Sequence, residues 1–294
     1  MHLFRRVPSI HDLAMRPLVE SDLAPLMGLL EQTPWASLSI PHDEFGLTLS
    51  DQLSIVLEYN GKLWGCVLMG YAVGPIAWIR ALIVHHSLRP AEAVTTFLQA
   101  AERYAKARGV ERVLLMSDER DASWLLPWVL HEGYQQQLDV VGYEKRAMQI
   151  PAWGNTGAWI RPATPADVPM IAKIDAAAFA AEWVKSSTIL AGVFPVAPFY
   201  IVAELNHTIV GYAFATVHHG GIMAHLVRIA VDPALQGKGI GVRLLAELVD
   251  WCSLNGVQLL SLNTQNTNQH AQRLYEWFGF MRNGERQTVL VKEI

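Results

Sequence analysis

Val231-Asp232-Pro233-Ala234-Leu235-Gln236-Gly237-Lys238-Gly239-Ile240-Gly241 sets three alternating glycines between two unlike neighbours. An apolar, strand-like run, Leu226 to Val231, leads into it, and a helical run, Val242 to Leu254, leads out. A strand, a glycine turn and a helix start together form an anion site. The first N–H groups of a helix have no intrahelical acceptor, and the helix dipole adds positive potential at the same end. Glycine lets the backbone approach a phosphate with no Cβ in between. The stretch therefore predicts a phosphorylated ligand. Two common glycine loops do not fit it. The dinucleotide pattern Gly-x-Gly-x-x-Gly needs glycine where Val242 stands, and the P-loop needs Ser or Thr after its lysine, where Gly239 follows Lys238.

Composition narrows the partners. The length of 294 residues favours two domains, and 51% hydrophobic residues supply ample core. Net charge is only −4, with 17 acids against 13 bases in residues 1–148 and 10 against 10 in residues 149–294. No basic field exists for nucleic acid. Cys66 and Cys252, one per half, exclude a disulfide framework and suit a reducing cytoplasm. The N-terminal segment has no signal-like apolar core. The uncharged run Leu63 to Ile79 is broken by Gly65, Gly70, Gly74 and Pro75, so it predicts two strands around a turn rather than a membrane span. Eleven histidines form no ligand-like frame with Cys or carboxylate, so no metal site is expected.

The chain repeats itself at a shift of about 146 residues. Arg16-Pro17 with Asp22 answers Arg161-Pro162 with Asp167; Ile83-Val84 answers Ala230-Val231; Arg108-Gly109-Val110 answers Asn255-Gly256-Val257. Such a period means two copies of one domain: residues 1–148, a linker over 149–157 with Pro151, Gly154 and Gly157, and residues 158–294. In the second copy Thr164, Pro165 and Asp167 start a helix. Strands are expected over Phe199 to Glu204, Ile209 to Val217, Met223 to Val231 and Val257 to Leu262, then a helix between Asn268 and Gly279, and Thr288 to Glu293 closing the copy. This order makes an α/β sheet with helices on its faces.

A second motif follows the glycine loop: Asn268-x-x-Ala271-x-x-Leu274-Tyr275-Glu276-x-x-Gly279-Phe280. Together with Gln-Gly-x-Gly-x-Gly after Ala-Val-Asp-Pro, it resembles the GNAT N-acetyltransferase superfamily. The resemblance covers nearly all of residues 158–294. It implies two tandem GNAT-like domains, each a mixed, mostly antiparallel sheet flanked by helices, and acetyl-CoA as acetyl donor. It further implies that backbone groups of Ile229, Ala230 and Val231 pair with the pantetheine arm and the acetyl carbonyl, where two strands splay apart. Gln236, Gly237, Lys238, Gly239, Ile240, Gly241 and Val242 would cradle the pyrophosphate, and Asn268 would touch the cofactor arm. Tyr275 would protonate the leaving thiolate after direct attack by a neutral amine, with a backbone N–H facing the oxyanion. The acceptor would be a small-molecule amine or a peptide or protein amine.

The residues read on their own leave alternatives open. Ala271, Leu274, Tyr275 and Phe278 share one helical face, so periodicity alone makes Tyr275 a core tyrosine with a satisfied hydroxyl. Asn268 also suits a helix N-cap. Arg228 fits an ion pair or the wall of a substrate cleft. Trp183, Phe194 and Phe199 suit packing or an apolar acceptor. Relatives that acetylate ribosomal-protein N-termini carry Glu where this chain has Asn263. The general base must then come from elsewhere, with His218, His219 and His225 as candidates, or a water relay.

The first copy looks disarmed. Aligned on Val84, it places Pro90, Glu92 and Val94 at the three glycine positions, and Asp121-Ala122-Ser123-Trp124 through Val129 replaces the tyrosine motif. It is expected to keep the fold and to have lost acetyl-CoA binding. The chain would act as a monomer, a pseudo-dimer of its two copies, or as a homodimer. The leading expectation is an acetyl-CoA-dependent N-acetyltransferase with its active site in the second copy. The alternative is a catalytically silent acyl-CoA sensor or interaction module.

Overall fold

A computed structural model describes residues 7–40, 42–49 and 51–294. Its elements in chain order are β1 (Ala14–Pro17), α1 (Leu23–Gln32), β2 (Ala36–Leu38), β3 (Ile55–Tyr59), β4 (Lys62–Tyr71), β5 (Ile76–Val84), α2 (Pro90–Lys106), β6 (Arg112–Ser117), α3 (Leu126–His131) and β7 (Gln135–Lys145). There follow β8 (Trp159–Pro162), α4 (Val168–Ala178), α5 (Ser187–Gly192), β9 (Phe199–Leu205), β10 (Thr208–His218), β11 (Met223–Val231), α6 (Ile240–Leu254), β12 (Leu259–Gln265), α7 (Gln269–Trp277) and β13 (Met281–Glu293). The uncharged run from Leu63 is the β4–β5 hairpin. Among the described residues no helix is long and apolar enough to cross a membrane.

Two compact units emerge, and they are not the two sequence halves. One is Met1–Leu138 with Gln287–Ile294; the other is Asp139–Arg286. The first has strand order β1-β3-β4-β5-β6-β13, with β2 also on β5; the second has β7-β12-β11-β10-β9-β8. The reason is an exchange of last strands. Val140–Gln265 and Lys145–Leu260 end the ladder that joins β7 to β12, while Thr288–Ser117 and Glu293–Arg112 end the ladder that joins β13 to β6. The boundaries 1–148 and 158–294 therefore do not delimit the compact units, and the strand Thr288 to Glu293 completes the sheet of the first. Hydrophobic patterning identifies a strand but not the edge it will choose.

Within each unit the sheet is mixed. Its pairings are antiparallel except β5–β6 and β11–β12, which are parallel. Both faces are covered, so the central strands are buried along their length. In the second unit Ile201, Ala203, Ala213 and Leu262 face α6 and α7, where Leu244, Leu248 and Tyr275 lie. The alternate residues Tyr200, Val202, Tyr212 and Phe214 face α4 and α5 through Ile171, Ile174 and Leu190. The duplication is also legible in polar contacts. Arg161 bridges Asp167 (2.7 Å) and Glu204 (2.6 Å), as Arg16 bridges Asp22 (2.6 Å) and Glu58 (2.8 Å). Hydrogen bonding to Arg161 holds the Asp167 carboxyl down at about 2. The helix start is organised by Asp167, which accepts the Thr164 N–H (2.7 Å) and hydroxyl (2.9 Å). Thr164 is the N-cap residue, and its hydroxyl donates to Asp167.

Candidate active site

The parallel pair β11–β12 opens partway along. Paired positions run from Met223–Leu259 to Leu226–Leu262 and stop, although β11 continues to Val231 and β12 to Gln265. Beyond that point β11 has, among the described residues, only β10 as partner, through Ala213–Ile229, Tyr212–Ala230 and Gly211–Val231. Ile229, Ala230 and Val231 thus lie where the strands part. A bulge between Phe214 and Ala215 marks the opening, where Arg228 and Leu226 are paired and Val227 is skipped. Gln236 turns back and donates its Nε2–H to the Val231 carbonyl (3.3 Å), bracing the turn that follows.

The glycine loop ends this strand and starts α6. Gly237 and Gly239 have φ of 76° and 77°, the left-handed region that favours glycine. Gly241 lies in the first turn of α6, and a Cβ there would meet only Val231 Cγ2 at 3.8 Å. No backbone N–H of Gly237, Lys238, Gly239, Ile240, Gly241 or Val242 donates a hydrogen bond among the described residues. The first to do so is Arg243, to the Gly239 carbonyl (3.0 Å). Six consecutive unused donors at the start of a 15-residue helix make a polar surface that an anion fits. Lys238 is exposed at its rim.

Tyr275 stands on α7, 5% exposed, with its ring against Tyr143 and Phe280. It belongs to the apolar core on that face, as the periodicity requires. Its hydroxyl, however, has no hydrogen-bond partner among the described residues, unlike a satisfied core tyrosine. Burial pushes the phenol up to about 12, so it keeps its proton at any ordinary pH. Asn268 caps α7, its Oδ1 accepting the Ala271 N–H (3.2 Å), and is exposed.

The three histidines separate clearly. His218 and His219 are exposed, the first bonded to Thr216 (3.0 Å), the second in a turn. His225 sits on β11, one residue before the last β11–β12 pair, with Nδ1 2.8 Å from Ser261 Oγ. Ser261 and Asn263 alternate onto the same sheet face, so His225 lies on the face that carries Asn263. Burial lowers its pKa from the usual 6.5. Asn263 itself is exposed.

Sequence reasoning did not foresee a buried polar cluster behind the bulge. Asp175 on α4 is fully buried and accepts two bonds from Arg228 (2.8 and 2.9 Å), one from the Lys185 N–H (2.8 Å) and one from the Tyr212 hydroxyl. Arg228 also donates to the Trp183 carbonyl (2.7 Å) and lies over the Phe179 ring. Arg228 is thus an ion-pair residue that fixes the segment after α4. Phe194 stacks on Tyr200, and Phe199 is buried against Trp251, so both serve packing. The only sequence cue was an arginine inside an otherwise apolar strand.

The first unit has a corresponding opening, and its own chain fills it. The β5–β6 pairing stops at Ile79–Leu115. Beyond it, β2 pairs with β5 through Leu38–Ala81, Ser37–Leu82 and Ala36–Ile83. Val84 N–H donates to the Trp35 carbonyl (2.9 Å) and Ser39 N–H to the Arg80 carbonyl (2.8 Å). The Ser37 hydroxyl donates to buried Asp121 (2.6 Å), which stands at the position of Asn268 in the repeat. The loop differs as well. Helix α2 begins at Pro90, the position of Gly237, so the turn seen before α6 does not exist there. The Leu88 N–H is used by the His85 carbonyl, and Pro90 has none. No group of His, Cys, Asp and Glu suited to a metal occurs among the described residues.

The profile of the acetyltransferase (GNAT) family matches twice, at residues 8–125 and 168–280. A mycothiol acetyltransferase of Renibacterium salmoninarum is 26% identical over 286 residues, 88% of this chain and 75% of that protein. The N-alpha-acetyltransferase RimI of Mycobacterium tuberculosis is 41% identical over 90 residues, 30% of this chain and 55% of that protein. The matches to the first two curated relatives span only 34% and 27% of their length. A tandem GNAT protein from the clavulanic acid biosynthesis pathway shares the fold, with a TM-score of 0.68 at 14% identity over 96% of this chain and 98% of that one. With the family profile matched over most of its length, in two copies, the chain belongs to the acetyltransferase (GNAT) family.

Proposed function

We propose that the chain is an acetyl-CoA-dependent N-acetyltransferase whose active site lies in the second unit. The observation that carries this reading is that the second unit holds six unused amides, a strand edge without a partner among the described residues, and a tyrosine with a buried ring whose hydroxyl has no hydrogen-bond partner among them. When bound, acetyl-CoA supplies an activated acetyl thioester, whose C–S bond breaks as the amine nitrogen joins the acetyl carbon. The amides of 237–242 hold the pyrophosphate. The free edge of Ile229–Ala230–Val231 would hold the pantetheine arm, and Asn268 would contact it. Tyr275 delivers a proton to the departing sulfur, a role suited to a phenol that stays protonated. His225 takes a proton from the amine, oriented by Ser261. In the first unit β2 occupies the equivalent strand edge and α2 has no glycine turn, so that unit does not take acetyl-CoA.

The acceptor is a primary amine, on a small molecule or a peptide. The relatives named for mycothiol and for protein N-termini bracket that range. The test is a thiol-release screen with amines, amino acids, polyamines, aminoglycosides and N-terminal peptides. Release with at least one class is expected. Exposed Asn263 favours the second reading, a silent acyl-CoA sensor, and saturating acetyl-CoA with no release across the whole panel would establish that reading instead.

The base assignment has its own pH signature. Lowering the pKa of His225 keeps it neutral, hence able to accept a proton, at pH 7. Below its pKa, itself under 6.5, it charges and kcat/KM should fall. His225→Gln is expected to lose about 10²-fold in kcat/KM and to flatten that acid limb. An acid limb unchanged in the variant would assign the base elsewhere.

A further inference from the structure

The segment expected to be a linker is bonded to the glycine loop. Residues 153–157 lie within the second unit. Asn155 N–H donates to the Gly239 carbonyl (3.0 Å), and Asn155 Nδ2 donates to the Lys238 carbonyl (3.0 Å). The Asn155 side chain is itself held, its Oδ1 accepting the Gly157 N–H (3.0 Å). Gly154 has φ of 65°, and a Cβ on it would come within 2.5 Å of the Gly239 oxygen and 2.7 Å of the Arg243 nitrogen. Only glycine lets the strap lie this close. From the other side, a Cβ on Gly239 would meet the Asn155 nitrogen at 3.1 Å.

Peptide geometry converts these bonds into an effect on the loop. In a planar trans peptide the carbonyl of one residue and the N–H of the next point in opposite directions. Holding the Lys238 oxygen toward Asn155 aims the Gly239 N–H away from it. Holding the Gly239 oxygen does the same for the Ile240 N–H. The Gly239 oxygen is also fixed by the Arg243 N–H (3.0 Å), so α6 alone orients Ile240. The Lys238–Gly239 peptide has no other brace among the described residues, and Gly239 at its N–H end, with no Cβ, resists its rotation less than a residue with a side chain would.

In the first unit the corresponding segment, Val7–Ile10, lines a cleft with Ser87, Leu88, Arg89 and Glu92. It makes no hydrogen bond to that loop among the described residues. The bonded strap thus accompanies the glycine loop alone.

We infer that Gly154 and Asn155 are positioning residues that preset the loop amides for a pyrophosphate, so that tight binding of acyl-CoA, as distinct from shorter acyl thioesters, depends on this strap. The inference rests on the reading of the loop as the pyrophosphate site. The experiment compares dissociation constants for acetyl-CoA and for S-acetylpantetheine, which lacks the pyrophosphate, by calorimetry on the full chain. Asn155→Ala is expected to weaken acetyl-CoA about tenfold, the worth of one well-aligned hydrogen bond, and to leave S-acetylpantetheine within about twofold. Gly154→Ala, which pushes the strap off the loop, should show the same split to a larger degree. Equal weakening of both thioesters, or acetyl-CoA binding unchanged in both variants, would overturn the strap. Absence of acetyl-CoA binding by the wild-type chain would sink the reading of the loop instead.

Discussion

Gly239→Glu is expected to abolish the stabilisation that acetyl-CoA gives the folded chain. At about 100 times its dissociation constant, a ligand that binds only the folded state adds roughly 2.7 kcal/mol. Three effects act against the variant at once. A φ of 77° is strained for any side chain, and the new Cβ would sit 3.1 Å from the Asn155 nitrogen. The carboxylate would then stand among the six amides proposed to hold phosphate oxygens, and like charges repel. The first two effects also cost about 1–2 kcal/mol of intrinsic stability. The informative comparison is therefore the shift on adding acetyl-CoA, not the melting point alone. A full shift in the variant would place the pyrophosphate elsewhere.

Tyr275→Phe should separate binding from chemistry. The phenyl ring keeps the contacts with Tyr143 and Phe280. The hydroxyl that is lost has no hydrogen-bond partner among the described residues, so folding stability should change little. Acetyl-CoA should bind as before. Turnover should fall within about 10²–10⁴-fold, the range for a missing proton donor. The thiolate is a far better leaving group than an alkoxide, which argues for the lower part of that range. Wild-type turnover in the phenylalanine variant would return Tyr275 to the core.

Much of this architecture was readable because it is local. Near-continuous apolar runs located β9, β10 and β11, since each buries one face against α4 and α5 and the other against α6 and α7. The glycine loop declared itself because left-handed backbone at 237 and 239 excludes most other residues. The repeated Arg–Asp spacing announced a motif that both copies use. What the sequence hid is contact between distant segments. Nothing in Ala36–Leu38 marks it as the strand that covers β5, and Asp121 looks like a simple change from asparagine until Ser37 is found bonded to it. Asp175 and Arg228 are 53 residues apart, and neither sits in a motif. Asn155 resembles any linker asparagine. A lone polar residue gains meaning only from its partner, and pattern reading supplies no partners.

The exchange of final strands has a consequence for how the chain comes to be folded. The edge of β6 that begins at Arg112 waits for Glu293, which is made long after it. During synthesis the first unit must therefore carry an open row of backbone donors and acceptors while some 150 further residues emerge. Closing so long a loop is slow, and the waiting edge is exposed to wrong partners, including the same edge of another nascent chain. A ribosome that stalls before residue 288 would release a chain whose second unit is nearly whole and whose first unit is still unzipped.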